Sequence, residues 1–468
     1  MNRFITVICT LFWGSLVITS CNNKGNTYAP TTTIIDGNIT STDAPSISLI
    51  GNEEYKGTID PTGKFFIQAE LESAGIYTIS FGYESINVFV IPGDRISLTG
   101  DARSLKYAAT FKGSHAIENN YLVSYENLKN STQDKSFESF FSQPESSFTE
   151  AVEKRVQYIT AEQQDYQKKN GVFDAIFGEL INDEISYDAA ILKMNYPYYL
   201  KYIYPDSTIL LSETYDSFLQ NIDTDNEQNL WVPSYKIFLP LYLSYKSQND
   251  STKGELPSAQ LRMKNIAVLF RSVKVKDLLY FNLMKETLEM SIDDASLIID
   301  DFNRLEKNKN YLTAINGEYE QWKHLAKGQP APPWEYNNLN GQRISLESLK
   351  GKVVFIDVWA TWCMPCLQEL PYLEQTQGSF SKNSDIVFVS ISIDQDKDAW
   401  QKMVRQKKLK GVQLIADNAW GSSIISHYKI SGIPRFIIIG KNGNIISANA
   451  VRPSSKELKT ILDNALNV

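Results

Sequence analysis

The stretch KVVFIDVWATWCMPCLQELPYLEQTQ, Lys352 to Gln377, joins two kinds of pattern. Lys352 to Trp359 is a β-branched, apolar run of the kind that forms a buried strand, and a helix-forming run begins at Cys366. The join places Cys363 at a strand-to-helix turn, at the carboxyl edge of a sheet, with Cys366 one turn into the helix. Pro365 suits the first helical turn, where its missing N–H costs nothing. Unpaired N–H groups and the macrodipole favour negative charge at a helix N-terminus, so a cysteine there is partly thiolate near neutral pH. Cys366, set deeper, is placed to resolve a mixed disulfide rather than to start one.

Three chemistries compete for the pair. A structural zinc site needs four ligands at short spacing, and the three histidines, His115, His324 and His427, are scattered, so no metal is expected. A structural staple closing two intervening residues removes little loop entropy and adds almost no stability. A redox dithiol needs the helix-terminus geometry that the stretch supplies, and that reading is adopted.

At 468 residues the chain suggests about three domains, and 43% hydrophobic with 21% charged residues fits a soluble globular protein. A net charge of −8 with no basic arm argues against a nucleic-acid partner. The N-terminus, MNRFITVICTLFWGSLVITSC, has one cation, Arg3, and an apolar run from Phe4 to Ile18 that is short for a membrane span and right for a secretory signal. Its end, Ile18-Thr19-Ser20-Cys21, resembles the bacterial lipobox. That resemblance implies a signal peptide over 1–20, diacylation of Cys21, and a lipid anchor in a bacterial membrane, with residues 21–32 as a polar tether. The body would face the periplasm or cell surface. Cys9 and Arg3 would leave with the signal, giving a mature charge of −9 and leaving one C-x-x-C pair where disulfides can form.

From Gly328 onward the text resembles the TlpA/ResA-type thiol-disulfide oxidoreductases of the thioredoxin superfamily: a Pro-rich lead-in, a short hairpin, LKGKVV, then W-C-x-P-C-x-x-E-x-P. The resemblance covers 328–468 and implies an α/β thioredoxin-like fold. It also implies roles by position. Asp357 would be the buried acid beneath the site, its pKa raised, acting as base for Cys366. Glu369 would tune the same proton, unless it is a solvated first-turn acid. Ile433 and Pro434, in SGIPRF, would form a cis-proline loop facing the cysteines, with the Ile433 backbone pairing to substrate. Trp362 and Pro365 would flank the nucleophile as contact surface, while Trp359 reads as packing. His427 reads as a surface or interface residue.

Ahead of this part, residues 33–113 alternate with period two and carry turn signals every eight to twelve residues, which predicts an antiparallel β-sandwich or barrel. The stretch resembles the β-rich domain that often precedes TlpA-like modules in secreted lipoproteins. GDRISLTGD reads as turn chemistry rather than a calcium loop. Residues 114–327 change to a helical period, as in AIENNYLVSYENLKN and DASLIIDDFNRLEKN, and predict a helical region. The aromatic cluster Met194–Asp206 reads as packing in preference to a peptide or glycan surface.

The resulting expectation is dithiol–disulfide exchange on protein or peptide disulfides, with re-reduction by a membrane electron-transfer partner and no cofactor. Pro365 and Asp357 favour the reducing direction. Two alternatives stay open: an oxidase or isomerase using the same cysteines, and a peptide- or glycan-binding lipoprotein with an auxiliary redox module. A peroxidase is disfavoured because DVWATWC lacks the P-x-x-x-T-x-x-C setting.

Overall fold

The computed structural model describes residues 27–51, 53–131, 137–250, 254 and 258–467. Arg3, Cys9 and Cys21 lie outside the described residues. Two compact units emerge: one runs to Ile222 and takes in Gln228–Phe238, the other comprises Asp223–Glu227 and the chain from Leu239.

The first unit holds β1 (Thr27–Thr40), β2 (Ser46–Ile50), β3 (Glu54–Ile59), β4 (Lys64–Ser73), β5 (Gly75–Phe81), β6 (Glu84–Val90), β7 (Arg95–Asp101) and β8 (Thr110–Gly113). They form one eight-stranded sheet in the order β6-β5-β2-β3-β4-β1-β7-β8, in which β1 and β7 pair in parallel. Of the expected sandwich or barrel, the sandwich is not borne out: the sheet is single and curled into a half-barrel, and the β1–β7 pair departs from all-antiparallel pairing. The alternation holds: Phe65, Ile67, Ala69 and Leu71 of β4 are buried while Phe66, Gln68 and Glu70 face out. What covers the buried face is the sheet itself, curled so that residues as distant as Ile47, Ile67, Val88 and Phe111 share one core. Period two reports a buried face and is silent on whether a second sheet or the same sheet meets it.

Helix α1 (Ala116–Ser131) secures that curl. Asn119 Oδ1 accepts from Phe89 N–H at 2.7 Å and its Nδ2 donates to Phe89 C=O at 3.0 Å. Asn120 makes the same pair of bonds to Phe111, both at 2.9 Å. Phe89 lies on β6 and Phe111 on β8, the two edges of the sheet. Consecutive asparagines thus stand in for a missing strand on both edges, satisfying backbone groups that would otherwise invite foreign pairing.

Helices α2 (Glu145–Asn170) and α3 (Ala175–Ile203) follow. Pro197 lies inside α3 and cannot donate to the Lys193 carbonyl four residues back; Tyr215 Oη donates to that carbonyl at 2.7 Å instead. The aromatic cluster divides: Tyr196 is buried and stacks on Phe148 at 4.1 Å, whereas Tyr198 and Tyr202 are exposed. In GDRISLTGD, Asp94 accepts from Ile91 N–H and Asp101 from Arg103 N–H, which is turn chemistry. A groove of about 1160 Å³ runs between α2 and α3, lined by Thr149, Gln157, Asn182, Ser186, Lys193 and Phe218 among others.

The helical part of the second unit includes α4 (Ser258–Leu269), α5 (Val273–Met290), α6 (Ile292–Leu305) and α7 (Lys309–Trp322). In α6, Ile292, Ala295, Ile298, Ile299 and Phe302 are buried at helical spacing, and Ser291 caps the start by accepting from Asp294 N–H. The central helices are therefore shared between the two units. The unit then continues through β9 (Glu335–Asn338), β10 (Arg343–Ser345), β11 (Val353–Trp359), α8 (Met364–Ser379), β12 (Ile386–Ser392), α9 (Lys397–Lys407), β13 (Val412–Ile415), α10 (Ser423–His427), β14 (Arg435–Ile439), β15 (Ile445–Ser447) and α11 (Leu458–Leu466).

These seven strands order as β10-β9-β13-β12-β11-β14-β15. All seven residues of β11 are buried, between parallel β12 and antiparallel β14. A strand covered on both faces reads as an unbroken apolar run, which is why VVFIDVW was legible.

Candidate active site

β11 ends at Trp359 and α8 starts at Met364, so Cys363 is the residue that caps the helix. Cys366 N–H donates to Cys363 Sγ at 3.2 Å, and the two sulfurs form a disulfide. In this form both are largely covered, Cys363 showing 5% of its surface and Cys366 2%. What faces solvent is their flank: Trp362 is 59% exposed, and Met364 is exposed too. Pro365 sits in the first turn of α8, as its residue type requires.

Asp357 lies in the middle of β11, in register with Ser390 of β12 and Phe436 of β14. Burial pushes its carboxyl up to about 7, a nearby charge on Glu369 adds to the effect, and a hydrogen bond with Ser390 opposes it. Glu369 is buried, not solvated. Ser454 N–H and Oγ donate to its two carboxylate oxygens at 2.9 and 3.0 Å, and Arg452 Nη1 stands 3.9 Å away. The carboxylate thereby ties α8 to the turn before α11.

The Ile433–Pro434 peptide is cis. Arg435, the next residue, pairs with Val358, so the loop sits beside the end of β11 where the cysteine turn begins. Cys363, Cys366 and the proline loop therefore gather past the carboxyl end of β11, with Asp357 inside the strand and within electrostatic reach of Glu369. Trp359 is buried as packing, and His427 is exposed, with its Nδ1 3.4 Å from the Pro333 carbonyl oxygen.

Sequence reading missed two residues here. Asp394, just past β12 and buried, accepts from Thr361 N–H at 3.0 Å, from Thr361 Oγ at 2.7 Å and from Ser392 Oγ at 2.6 Å. It fixes the segment that leads into Trp362 and Cys363. A signal existed: an aspartate closing the strand beside the motif strand must sit at the same sheet edge. The second is Trp420, whose ring lies 6.4 Å from that of Trp362 between centroids; no local pattern links positions so far apart in sequence. Removing the Asp394 carboxylate strands the Thr361 and Ser392 donors in a buried place. Asp394→Ala should lower the unfolding free energy by roughly 2–3 kcal/mol, read from urea denaturation. An unchanged midpoint would show that Thr361 is held by something else.

Comparison with known proteins supplies the family. A model described as Redoxin matches residues 326–466. The thiol-disulfide oxidoreductase ResA of Bacillus anthracis is 28% identical over 151 residues, 32% of this chain and 85% of that protein. ResA of Bacillus subtilis (strain 168) is 28% identical over 134 residues, covering 29% of this chain and 73% of the relative. Among solved structures, the thioredoxin domain of a thiol-disulfide oxidoreductase from Bacteroides vulgatus is 28% identical, aligned over 31% of this chain and 99% of that one, with a TM-score of 0.28. On the family match and the ResA relatives, this chain is a ResA/TlpA-like member of the thioredoxin superfamily. It is a thiol-disulfide oxidoreductase.

Proposed function

We propose that the protein reduces protein or peptide disulfides outside the cytoplasm while anchored to a membrane through lipidated Cys21. The observation that carries this reading is a cysteine pair at a helix N-terminus with a buried, near-neutral carboxyl, Asp357, in the strand leading to it. Cys363 thiolate attacks one sulfur of the substrate disulfide; that S–S bond breaks, and the departing thiolate takes a proton from solvent. Cys366 then gives its proton to the Asp357 carboxylate and attacks Cys363 Sγ, so the mixed disulfide breaks and the second substrate thiolate leaves to be protonated. The substrate gains two electrons and the enzyme dithiol becomes the Cys363–Cys366 disulfide. An external dithiol, donated by a membrane electron-transfer partner, must restore it. No cofactor or metal enters this balance.

Glu369 contributes its charge to Asp357 and, through Ser454, the seating of α8. Trp362, Pro365, Ile433 and Pro434 form the contact surface for substrate backbone and side chains. Localisation to the cell envelope, facing the periplasm or cell surface, rests on the lipobox resemblance at Cys21. Among the described residues, no helix is long and apolar enough to cross a membrane. The same reading keeps 33–113 as the β-rich domain, 114–327 as the helical region and 328–468 as the thioredoxin-like domain.

Direction is tested by the reduction potential of the pair, from equilibration with dithiothreitol or glutathione buffers. A value near or below roughly −250 mV fits a reductase, whereas about −120 to −180 mV would make the protein an oxidase or isomerase. A second reading, ligand capture by the rest of the chain, has one observation in its favour: the hydroxyl- and amide-lined groove between α2 and α3.

A further inference from the structure

Trp362 and Trp420 stand side by side next to the redox turn, with ring centroids 6.4 Å apart and planes tilted by 40°. They are 59% and 43% exposed. Single exposed apolar residues are ordinary on a protein surface, but adjacent large rings beside a reactive sulfur are the mark of a contact site.

The chain holds Trp420 in place at some cost. Asn418 and Ala419, immediately before it, both adopt left-handed backbone, with φ of 65° and 45°. That region is unfavourable for a residue with a Cβ and persists only where surrounding structure imposes it. Here the imposing bonds are Gly421 N–H to Asn418 C=O at 2.8 Å and Ser422 N–H to Ala419 C=O at 3.1 Å. Gly421 admits no larger residue without a shift, since a Cβ there would meet Asn418 Nδ2 at 2.4 Å. Ala419 and Ser422 are both buried. The indole between them is thus carried on a fixed turn with much of its surface in water. The 43% of Trp420 that folding leaves in water includes apolar surface that a bound partner can cover.

The chemistry of exchange fixes what that partner is. A substrate sulfur must come within bonding distance of Cys363 Sγ, so a polypeptide that delivers a disulfide lays the neighbours of its cysteine across Trp362. We propose that Trp420 completes, with Trp362, an aromatic cleft that selects polypeptide disulfides whose attacked cysteine is flanked by an aromatic or long aliphatic side chain. This inference rests on the exchange reaction proposed above and adds its substrate class. An indole pair takes such a side chain by offset or edge-on stacking, which adds to plain burial.

The test uses the reduced full chain and two cystine peptides of the same sequence, except that phenylalanine or glycine precedes the cysteine. Mixed-disulfide formation is followed by acid quench and mass spectrometry. The wild-type protein should favour the phenylalanine peptide roughly tenfold in second-order rate. Trp420→Ala should bring the ratio of the two rates close to one, and Trp420→Phe, which keeps an aromatic ring on the turn, should retain most of it. The proposal is overturned if Trp420→Ala keeps the wild-type ratio, if it slows both peptides in equal proportion, or if the wild type shows no preference. Failure of the wild type to react with either peptide would sink the exchange reaction itself, and the cleft with it.

Discussion

Replacing Cys363 with serine should abolish disulfide exchange, lowering turnover by roughly a thousandfold or more, because nothing else in the site can open the reaction. A serine hydroxyl is not ionised near neutral pH and the helix terminus cannot make it so. Cys366 is the only other cysteine among the described residues, and it is buried in the first turn of the helix that Cys363 caps. Cys366→Ser has a different signature. The first attack proceeds, the second thiol is missing, and substrate should accumulate on Cys363 as a covalent adduct visible on a non-reducing gel. Should the adduct form on Cys363→Ser protein instead, the order of attack would be reversed; should Cys363→Ser keep wild-type turnover, the dithiol would not be the reactive group.

The second large effect belongs to Asp357, and its sign follows from the direction of the shift. An ordinary aspartate ionises near 3.8, whereas burial raises this one to about 7. Below pH 3.8 the carboxyl is protonated in folded and unfolded chains alike and nothing is lost. Between 3.8 and 7 the unfolded chain releases its proton and the folded one keeps it, so stability falls as pH rises. Above 7 the loss is complete, with a ceiling of about 4 kcal/mol. Asp357→Asn removes the titration and should therefore stabilise the protein at pH 8 by a few kcal/mol while changing little near pH 4. The same variant should slow resolution of the mixed disulfide by on the order of a hundredfold, and the inflection near pH 7 should vanish from that step. Denaturation at the two pH values and stopped-flow resolution of a preformed adduct check both halves. An equal stability change at pH 4 and pH 8 would mean that Asp357 does not titrate in this range.

This opposition between folding and chemistry is the usual mark of a working site. It also explains what could be read in advance. The buried strand and the helix start around Cys363 were legible because each is written in adjacent residues: VVFIDVW has no polar face, and Pro365 suits a first turn. The helices of the central region were legible for the same reason, as the stripe of α6 shows. The sandwich was not, because one curled sheet and two stacked ones bury the same alternate residues; the deciding evidence was Asn119 and Asn120, two polar letters within a helix. In the site, the contacts that could not be read act across long separations. Asp394 meets Thr361, Ser454 meets Glu369, and Trp420 meets Trp362, each through tertiary contact with no local motif to announce it.

The seating of Glu369 on Ser454 has a consequence for how the molecule is made. During synthesis the cysteines emerge some ninety residues before the turn that anchors their helix, and about seventy before the proline loop that lies beside them. For that interval the dithiol has a sequence but no site: its helix lacks its tether, and β11 lacks β14 on one side. Non-local pairings of this kind form late, after loop closure has been overcome. The protein therefore acquires its reactivity only after the proline loop and the turn at Ser454 have been made and have closed onto the cysteine helix.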